Sequence, residues 1–195
     1  MTTIKSGQDV VSFLKSQHEQ IKSGFEKVLA SSGTAREENF VALRRLMAVH
    51  ETAEEEIVHP AAKRLLVGGD TLIAARLKEE NEAKTALTEL EKLGTNAAEF
   101  DTKFRKLQQA VLAHAQAEET LEFDVLADKL DPSRLERMGR AVELAESMAP
   151  TRPHAGIESA AANILVGPFV AMVDRVRDAL AMHKKAAKSE ARPRA

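Results

Sequence analysis

Apolar residues recur at intervals of three and four along most of the chain. The first such series is Val11, Leu14, Ile21, Phe25 and Val28. This spacing places the residues along one face of an α-helix, which is the pattern of a helix with one buried face. The alternation of apolar and polar residues that is typical of strands does not occur. The sequence therefore predicts an all-α protein.

Four long helices are predicted, separated by Gly, Pro and Asp. They cover about residues 8–30, 36–66, 71–94 and 97–130, and Pro60 is expected to bend or break the second helix. Because short loops join consecutive helices, neighbouring helices should run antiparallel. Residues 1–131 are therefore predicted to form an up-and-down four-helix bundle.

Residues 132–195 are expected to form a C-terminal helical extension that packs on the bundle. Asp131 and Pro132 restart the chain with proline in the first turn of a helix, where proline is favoured. A shorter helix is predicted over about residues 133–148. A loop at 149–156, one more apolar helix and a solvated tail from residue 184 should follow it.

The charge balance argues against binding to nucleic acid or to an anionic membrane. The 28 Lys and Arg residues nearly balance the 30 Asp and Glu residues, and the two signs are interspersed. The longest apolar runs fall far short of the roughly 20 residues of a membrane-spanning helix, and the N-terminus lacks a signal-peptide pattern. We therefore expect a cytoplasmic protein, and the sequence leaves its oligomeric state open.

The chain contains no Cys, Trp or Tyr. The lack of cysteine excludes disulfides, thiolate metal sites and cysteine nucleophiles. Any bound metal ion must therefore be held by nitrogen and oxygen ligands.

Polar residues interrupt three of the apolar series midway along the helices. His18 fills a gap in the first series, His50 and Glu54 fill one in the second helix, and His114 and Glu118 fill one in the fourth. The apolar residues on either side of these gaps are Phe40, Leu43 and Met47, then Ile57, Ala61 and Leu65, in the second helix, and Phe104, Leu107 and Val111, then Leu121 and Val125, in the fourth.

The interval of four residues has a chemical reason. Residues four apart share a helix face about 6 Å apart along the axis, so an imidazole and a carboxylate can reach the same dinuclear metal site. Such mixed ligands suit iron, manganese or zinc. Burial of these groups without partners would cost about 1–3 kcal/mol for each unsatisfied group. The alternative is a metal-free helical scaffold in which the histidines are hydrogen-bonded core residues.

The sequence resembles the hemerythrin-like, HHE cation-binding family over roughly residues 8–130. The resemblance implies a centre of two iron ions, oxo- or hydroxo-bridged, with His18, His50, Glu54, His114 and Glu118 as ligands. It places Glu54 and Glu118 where the family has its bridging carboxylates. The stretches that match are Leu14-Lys15-Ser16-Gln17-His18, His50-Glu51-Thr52-Ala53-Glu54-Glu55-Glu56 with Pro60, and His114-Ala115-Gln116-Ala117-Glu118-Glu119.

The third helix departs from the family pattern, because it lacks the histidine expected there. The apolar series through Ile73 and Leu77 places Glu80 inward. Our hypothesis is that Glu80 replaces the absent histidine as a metal ligand. The alternative is that Glu80 belongs to a solvated charged patch.

The other histidines are expected outside the ligand set. His59 follows His50 by nine residues and would lie about 180° around a regular helix, unless Pro60 distorts the turn. His154 lies in the loop at 149–156 and is a candidate for a lid, a hydrogen bond or a late ligand. His183 continues an apolar series and is interpreted as a packing residue.

The ligand set indicates a function only indirectly. Each histidine–glutamate pair adds an anionic ligand, which should stabilise ferric over ferrous iron and disfavour reversible oxygen carriage. We therefore predict a diiron enzyme that acts on hydrogen peroxide or nitric oxide, with no catalytic residue assigned and with Glu55 and Glu119 as neighbours of the ligands. The alternative is an oxygen or iron sensing or storage protein without turnover. Ferritin-like diiron proteins match less well, because they place glutamate three residues before histidine.

Overall fold

The computed structural model describes residues 8–149, and every regular element in this range is helical. In chain order the elements are α1 (Val10–Ala30), α2 (Gly33–Ala53), a π-helical turn π1 (Glu54–Val58), α3 (His59–Leu65), α4 (Gly69–Leu93), α5 (Phe100–Glu118), a second π-helical turn π2 (Glu119–Phe123), α6 (Asp124–Lys129) and α7 (Pro132–Met148).

Four rods form the bundle. The second rod is α2, π1 and α3 in continuous succession, and the fourth is α5, π2 and α6; α1 and α4 are the first and third rods. The first rod packs on the second, the second on the third, the third on the fourth, and the fourth on the first. This cyclic order is that of an up-and-down bundle. The all-α bundle predicted from the sequence is confirmed.

The ends of the helices lie near the predicted breaks, for identifiable reasons. Asp9 caps α1 and Asp131 caps α7, because each side chain accepts a hydrogen bond from the backbone N–H three residues later. Gly68 and Gly94 separate α4 from its neighbours with positive φ angles of 71° and 82°, which favour glycine.

Two apolar clusters lie on either side of the predicted polar residues. The first cluster includes Phe25, Phe40, Phe100 and Phe104, whose rings are in mutual contact. The second cluster lies on the other side of the polar residues. It is formed by the other ends of the first, second and fourth rods, together with α7. Along these three rods His18, His50, and His114 with Glu118 fall between the residues of the two clusters, and Glu54 directly follows Ala53 of the second cluster. The fold therefore places polar groups in a layer between two apolar layers.

The π turn in the second rod changes which residues are buried beyond it. The sequence predicts Ile57 and Ala61 on the buried face, but the fully buried residues are Val58 and Ala62, one position later. A π turn accommodates one extra residue, so it rotates the following helix by about 100°. Pro60 is compatible with the irregular turn, because it has no N–H to donate to the preceding turn.

The fourth rod shows the same shift. Leu121, which is predicted to be buried, is 44% exposed, whereas Phe123 and Leu126 are fully buried. The second π turn therefore has the same effect as the first, and neither shift is visible in the spacing of apolar residues.

The helix α7 packs against α1, α2 and π1. It contributes Leu135, Val142 and Ala145 to the second apolar cluster. His154, His183 and the predicted elements beyond residue 149 lie outside the described residues. Between residues 8 and 149, no helix combines the length and the apolar character needed to cross a bilayer.

Candidate metal centre

The six predicted ligands lie together in the polar layer, although they come from all four rods. Each side chain is buried, with at most 8% of its surface exposed: His18, His50, Glu54, Glu80, His114 and Glu118. Histidine and glutamate four residues apart do face each other, with His50 Nε2 3.2 Å from Glu54 Oε2 and His114 Nε2 3.1 Å from Glu118 Oε1. The helical interval thus produces the proximity that the sequence suggests.

One half of the centre is formed by α1 and the second rod. His18, His50 and Glu54 offer ligand atoms that lie within 4.8 Å of one another, a separation that a single metal ion can span. His18 Nε2 lies 3.9 Å from Glu54 Oε1 and 3.6 Å from Glu118 Oε2. Because His18 faces carboxylates from both halves, Glu54 and Glu118 occupy the middle of the centre.

The predicted ligands of the other half come from the third and fourth rods. His114 Nε2 lies 3.1 Å from Glu118 Oε1 and 4.0 Å from Glu80 Oε1. Glu80 is 1% exposed, so it does not belong to a solvated patch and the alternative interpretation of this residue is wrong.

His59 also lies in the centre, contrary to its predicted position. The rotation at π1 turns His59 inward, where it is 2% exposed. Its Nε2 lies 2.6 Å from Glu80 Oε1 and its Nδ1 lies 2.9 Å from Glu122 Oε2. Pro60 was the signal in the sequence that the helix is irregular at this point.

Two further carboxylates were missed by the sequence analysis. Glu122 is fully buried because π2 rotates it inward, and nothing in the sequence marks that turn. Glu51 is 5% exposed, and it offers a ligand atom within 4.8 Å of those of Glu80 and His114. Glu51 directly follows His50, and adjacent helical residues point about 100° apart, so its spacing did not suggest a shared site.

The four imidazoles have a common orientation. Each ring has Nε2 near the central carboxylates and Nδ1 within hydrogen-bond distance of a side-chain oxygen at the periphery. A ligating histidine commonly donates its second N–H to such an oxygen, which fixes the tautomer and the ring. The four Nδ1 contacts are His18 with Glu119 at 2.8 Å, His50 with Gln17 at 2.9 Å, His59 with Glu122 at 2.9 Å and His114 with Glu79 at 2.8 Å.

Among the described residues, several oxygens in the middle of the centre accept no hydrogen bond of normal geometry, although imidazole nitrogens lie as close as 3.1 Å to them. Both carboxylate oxygens of Glu54 and of Glu118, and Oε2 of Glu80, are buried in this state. Unpaired buried polar atoms are rare in proteins, and buried carboxylates are paired with cations or coordinate metals. The donor set therefore fits a cluster of metal cations.

Burial and mutual repulsion change the protonation of these carboxylates. Burial, with the neighbouring Glu118, raises the pKa of Glu54 well above its ordinary value. Burial, with Glu80 beside it, raises the pKa of Glu51 to about 8. Burial would also raise the pKa of Glu118, but the adjacent His114 lowers it to about 2. Without metal, the centre is therefore a cluster that holds protons.

A buried relay connects the centre to α7. Glu146 of α7 is 4% exposed, and its Oε1 accepts a hydrogen bond of 2.7 Å from Gln17 Nε2. The amide oxygen of Gln17 lies 2.9 Å from His50 Nδ1. Burial raises the pKa of Glu146 to about 7. The relay holds the His50 ring from its outer side.

Glu55 also has a buried partner. Lys84 of α4 forms a buried ion pair with Glu55. Because the Lys84 ammonium lies on the side of the centre that contains Glu51 and Glu80, it offsets part of the local negative charge.

A cleft between α4 and α5 reaches the centre. Its volume is about 640 Å³, and small side chains including Ala83, Ala113 and Ala117 line it. Glu79 and His114 lie on its wall. The cleft brings one face of the centre into contact with solvent, which gives a small molecule a route to it.

Known proteins resemble this chain in sequence and in fold. The sequence model of the Hemerythrin HHE cation binding domain matches residues 9–126. The crystal structure of a hemerythrin HHE cation binding domain-containing protein from Mycobacterium kansasii is similar, with a TM-score of 0.62 and 20% identity, and the match covers 72% of this chain and 86% of that chain. At 20% identity, the similarity to the Mycobacterium kansasii structure shows a common fold and no more than that.

A curated protein of Nostoc sp., named DNA nickase, is 23% identical over 149 residues. The matched region makes up 76% of this chain and 42% of the Nostoc protein. The chain therefore spans less than half the length of that relative.

Substitution of Gln17 by leucine should lower the free energy of unfolding. The change leaves His50 Nδ1 and the Glu146 carboxyl group without their buried partner, and each such group costs about 1–3 kcal/mol. Urea unfolding of the metal-free protein, followed by circular dichroism, measures the loss. Gln116→Leu, at an exposed position of α5, is the control and should change stability little. Equal stability of the two variants would contradict a role for the relay.

The free energy of unfolding of the metal-free protein should fall as the pH rises from about 5.5 to about 8.5. The folded pKa is about 7 for Glu80 and Glu146 and about 8 for Glu51, against an ordinary value of 4.5. The folded state thus binds more protons than the unfolded chain, and stability is lost as the pH rises through the folded pKa values. His50, whose pKa is lowered by burial and by nearby His18, opposes this trend.

The same unfolding measurement at several pH values tests this expectation. Glu146→Gln removes one of the titrating groups and should flatten the dependence on pH. Greater stability of the metal-free protein at the alkaline end of the range would contradict the proton-holding cluster.

Proposed function

Because the chain belongs to the hemerythrin HHE cation-binding domain family, we propose that it holds two iron ions and reacts with hydrogen peroxide or nitric oxide. The observation that most supports this is the set of buried oxygens of Glu54 and Glu118, which face imidazole nitrogens from three rods but accept no hydrogen bond of normal geometry from the described residues. Such a layer needs cations in the middle, and mixed nitrogen and oxygen donors suit iron.

The proposed ligands divide between two ions. His18 and His50 would hold one ion, and His114 and Glu80 would hold the other. Glu54 and Glu118 lie between the two sets of imidazoles and would bridge both ions. When bound, the iron supplies the electron exchange with the small oxidant, and the chain supplies ligation and surroundings.

The chain's own residues fix and shield the centre. The contacts of the four Nδ1 atoms hold the imidazoles in place. Phe123 stacks on the His18 ring at a centroid distance of 5.5 Å, and the second apolar cluster continues behind it. Water is thereby excluded on that side. The α4–α5 cleft leaves access at His114, at a size that admits a small molecule.

Carboxylate-rich ligation favours an oxidant over reversible dioxygen binding. Glu80 occupies the third rod where the family resemblance calls for histidine, and Glu51 and Glu122 add carboxylates close by. Anionic ligands stabilise the more positively charged ferric state, because they offset its charge. The ferrous centre therefore gives up electrons readily and becomes ferric, which suits the reduction of peroxide or nitric oxide, and reversible binding of dioxygen is less favoured.

A sensing or storage function is the second candidate, and the relay through Gln17 favours it. Gln17 joins His50 to Glu146 of α7, and α7 lies beyond residues 9–126 of the family match. Metal binding at the centre would therefore change the contacts of α7. Turnover distinguishes the two: an enzyme consumes many equivalents of oxidant, whereas a sensor or store reacts stoichiometrically. The cytoplasmic location remains a prediction from the sequence.

The DNA-directed activity named for the Nostoc relative is not part of the proposal. The chain corresponds to 42% of that protein, so more than half of the relative has no counterpart in the match. The near balance of 28 basic and 30 acidic residues also gives no electrostatic support for binding to DNA.

The wild-type protein should contain about two iron ions per chain and show ligand-to-metal absorption in the near ultraviolet, where a chain without Trp or Tyr is nearly transparent. His114→Ala should abolish both the iron and the absorption, because it removes a nitrogen ligand next to Glu118. Elemental analysis and absorption spectra measure this outcome.

Gln116→Ala, two residues further along α5 and exposed, is the control and should keep its iron. Titration of the reduced, ferrous protein with peroxide and with nitric oxide then identifies the oxidant. Full iron content in His114→Ala would contradict the ligand set, and failure of both oxidants to react would contradict the proposed reaction.

A further inference from the structure

We propose that His59 is a ligand of the second iron ion and supplies, from the second rod, the imidazole nitrogen that the third rod lacks. This inference rests on the proposed function, because it assumes that the centre binds metal. It adds a ligand that the spacing of residues in the sequence argued against.

The position of His59 results from π1. In an uninterrupted helix, His59 would lie on the opposite face from His50. The extra residue in π1 rotates α3, so that His59 faces the centre while Val58 and Ala62 enter the apolar core. Single π turns inside α-helices occur frequently at functional sites. The turn therefore places an imidazole on the same rod as Glu54, one turn further along.

The contacts of His59 match those of the three predicted histidine ligands. Its Nδ1 faces Glu122 at 2.9 Å, as the Nδ1 of His114 faces Glu79 at 2.8 Å. Its Nε2 faces the centre, 2.6 Å from Glu80 Oε1 and 3.9 Å from Glu118 Oε1. As in the other three rings, Nδ1 contacts a carboxylate or amide oxygen at the periphery and Nε2 faces the central carboxylates. This is the usual arrangement of a ligating histidine.

The neighbours of His59 belong to the half of the centre that is short of nitrogen. His18 and His50 serve the first half, whereas His114 is the one predicted histidine in the second. Glu80 is the carboxylate closest to His59 Nε2, and it comes from the rod that lacks histidine. His59, Glu118 and Glu122 also offer ligand atoms within 4.8 Å of one another. His59 with His114 would give each ion two imidazoles.

A different role would explain the same burial. In that role His59 is protonated and serves as a counter-ion that neutralises Glu80 and Glu122, without binding metal. The two roles predict opposite effects of removing the side chain. As a ligand, His59 gives up its Nε2 proton to solvent and donates its electron pair to the ion, so its loss weakens metal binding. As a counter-ion, His59 competes with the metal ion for the carboxylates, so its loss leaves metal binding unchanged or tighter.

The lack of cysteine in the chain permits a direct test with cobalt(II). His59→Cys introduces the single thiol of the protein, and a thiolate bound to cobalt(II) gives an intense charge-transfer absorption. We expect this band when the variant is loaded with cobalt(II). Val58→Cys is the matched control, because Val58 is the adjacent residue and lies in the apolar core. It should bind cobalt(II) without the band and keep a thiol that is not coordinated.

His59→Ala provides a second measurement that does not depend on the thiol. Competition with a chromophoric chelator gives the affinity for each of the two cobalt(II) ions, and circular dichroism confirms that the variant is helical. We expect the affinity for one ion to fall by at least about tenfold, the lower end of the losses found when even an indirect partner of a metal site is removed. Val58→Ala, which removes buried atoms without a ligand, should bind both ions as the wild type does.

The outcomes separate this inference from the proposed function. A wild type with two ions, a His59→Cys variant without the band and a His59→Ala variant of equal or higher affinity would overturn the role of His59 alone. If His59→Cys does not fold, the affinity of His59→Ala decides between the two roles. A wild type that binds neither iron nor cobalt(II) would overturn both proposals.

Discussion

The cost of burying ionisable groups governs the middle of this bundle. Carboxylates and imidazoles from all four rods lie in one layer between two apolar clusters, where water does not compensate their charge. Protons can meet part of this cost, as the raised pKa values of Glu51 and Glu80 indicate. Metal ions can meet more of it, because one cation satisfies several oxygens and nitrogens at once. The centre is therefore suited to binding cations, and metal ions must displace the protons that the carboxylates hold in the metal-free protein.

The rest of the fold keeps this layer in place. Phenylalanines of the first apolar cluster close one side, and the second cluster, together with α7, closes the other. The outer nitrogens of the imidazoles are held from the periphery, and one of these supports, Gln17, extends to Glu146 of α7. A helix outside the matched family region thus takes part in positioning a central residue. Access remains through the cleft between α4 and α5, at His114.

The sequence predicted the rods and the six residues that meet in the layer, because a regular helix translates intervals of three and four directly into a shared face. It failed where the helix is irregular. Each π turn shifts the buried face by one residue, so Leu121 is exposed and His59 is buried, contrary to expectation. The relay was also beyond prediction, because Gln17 and Glu146 are 129 residues apart and no periodic pattern connects them. Spacing alone cannot predict contacts that depend on packing between distant segments.

The most direct test of whether the polar layer holds two iron ions is the crystal structure of the iron-loaded protein, with diffraction data collected at the iron absorption edge. We expect two anomalous peaks about 3.5–4 Å apart in the polar layer, as in other two-metal sites, with oxygens of Glu54 and Glu118 between them. Peaks confined to the protein surface, or a layer that holds no iron while its carboxylates pair only with protonated histidines, would contradict this expectation.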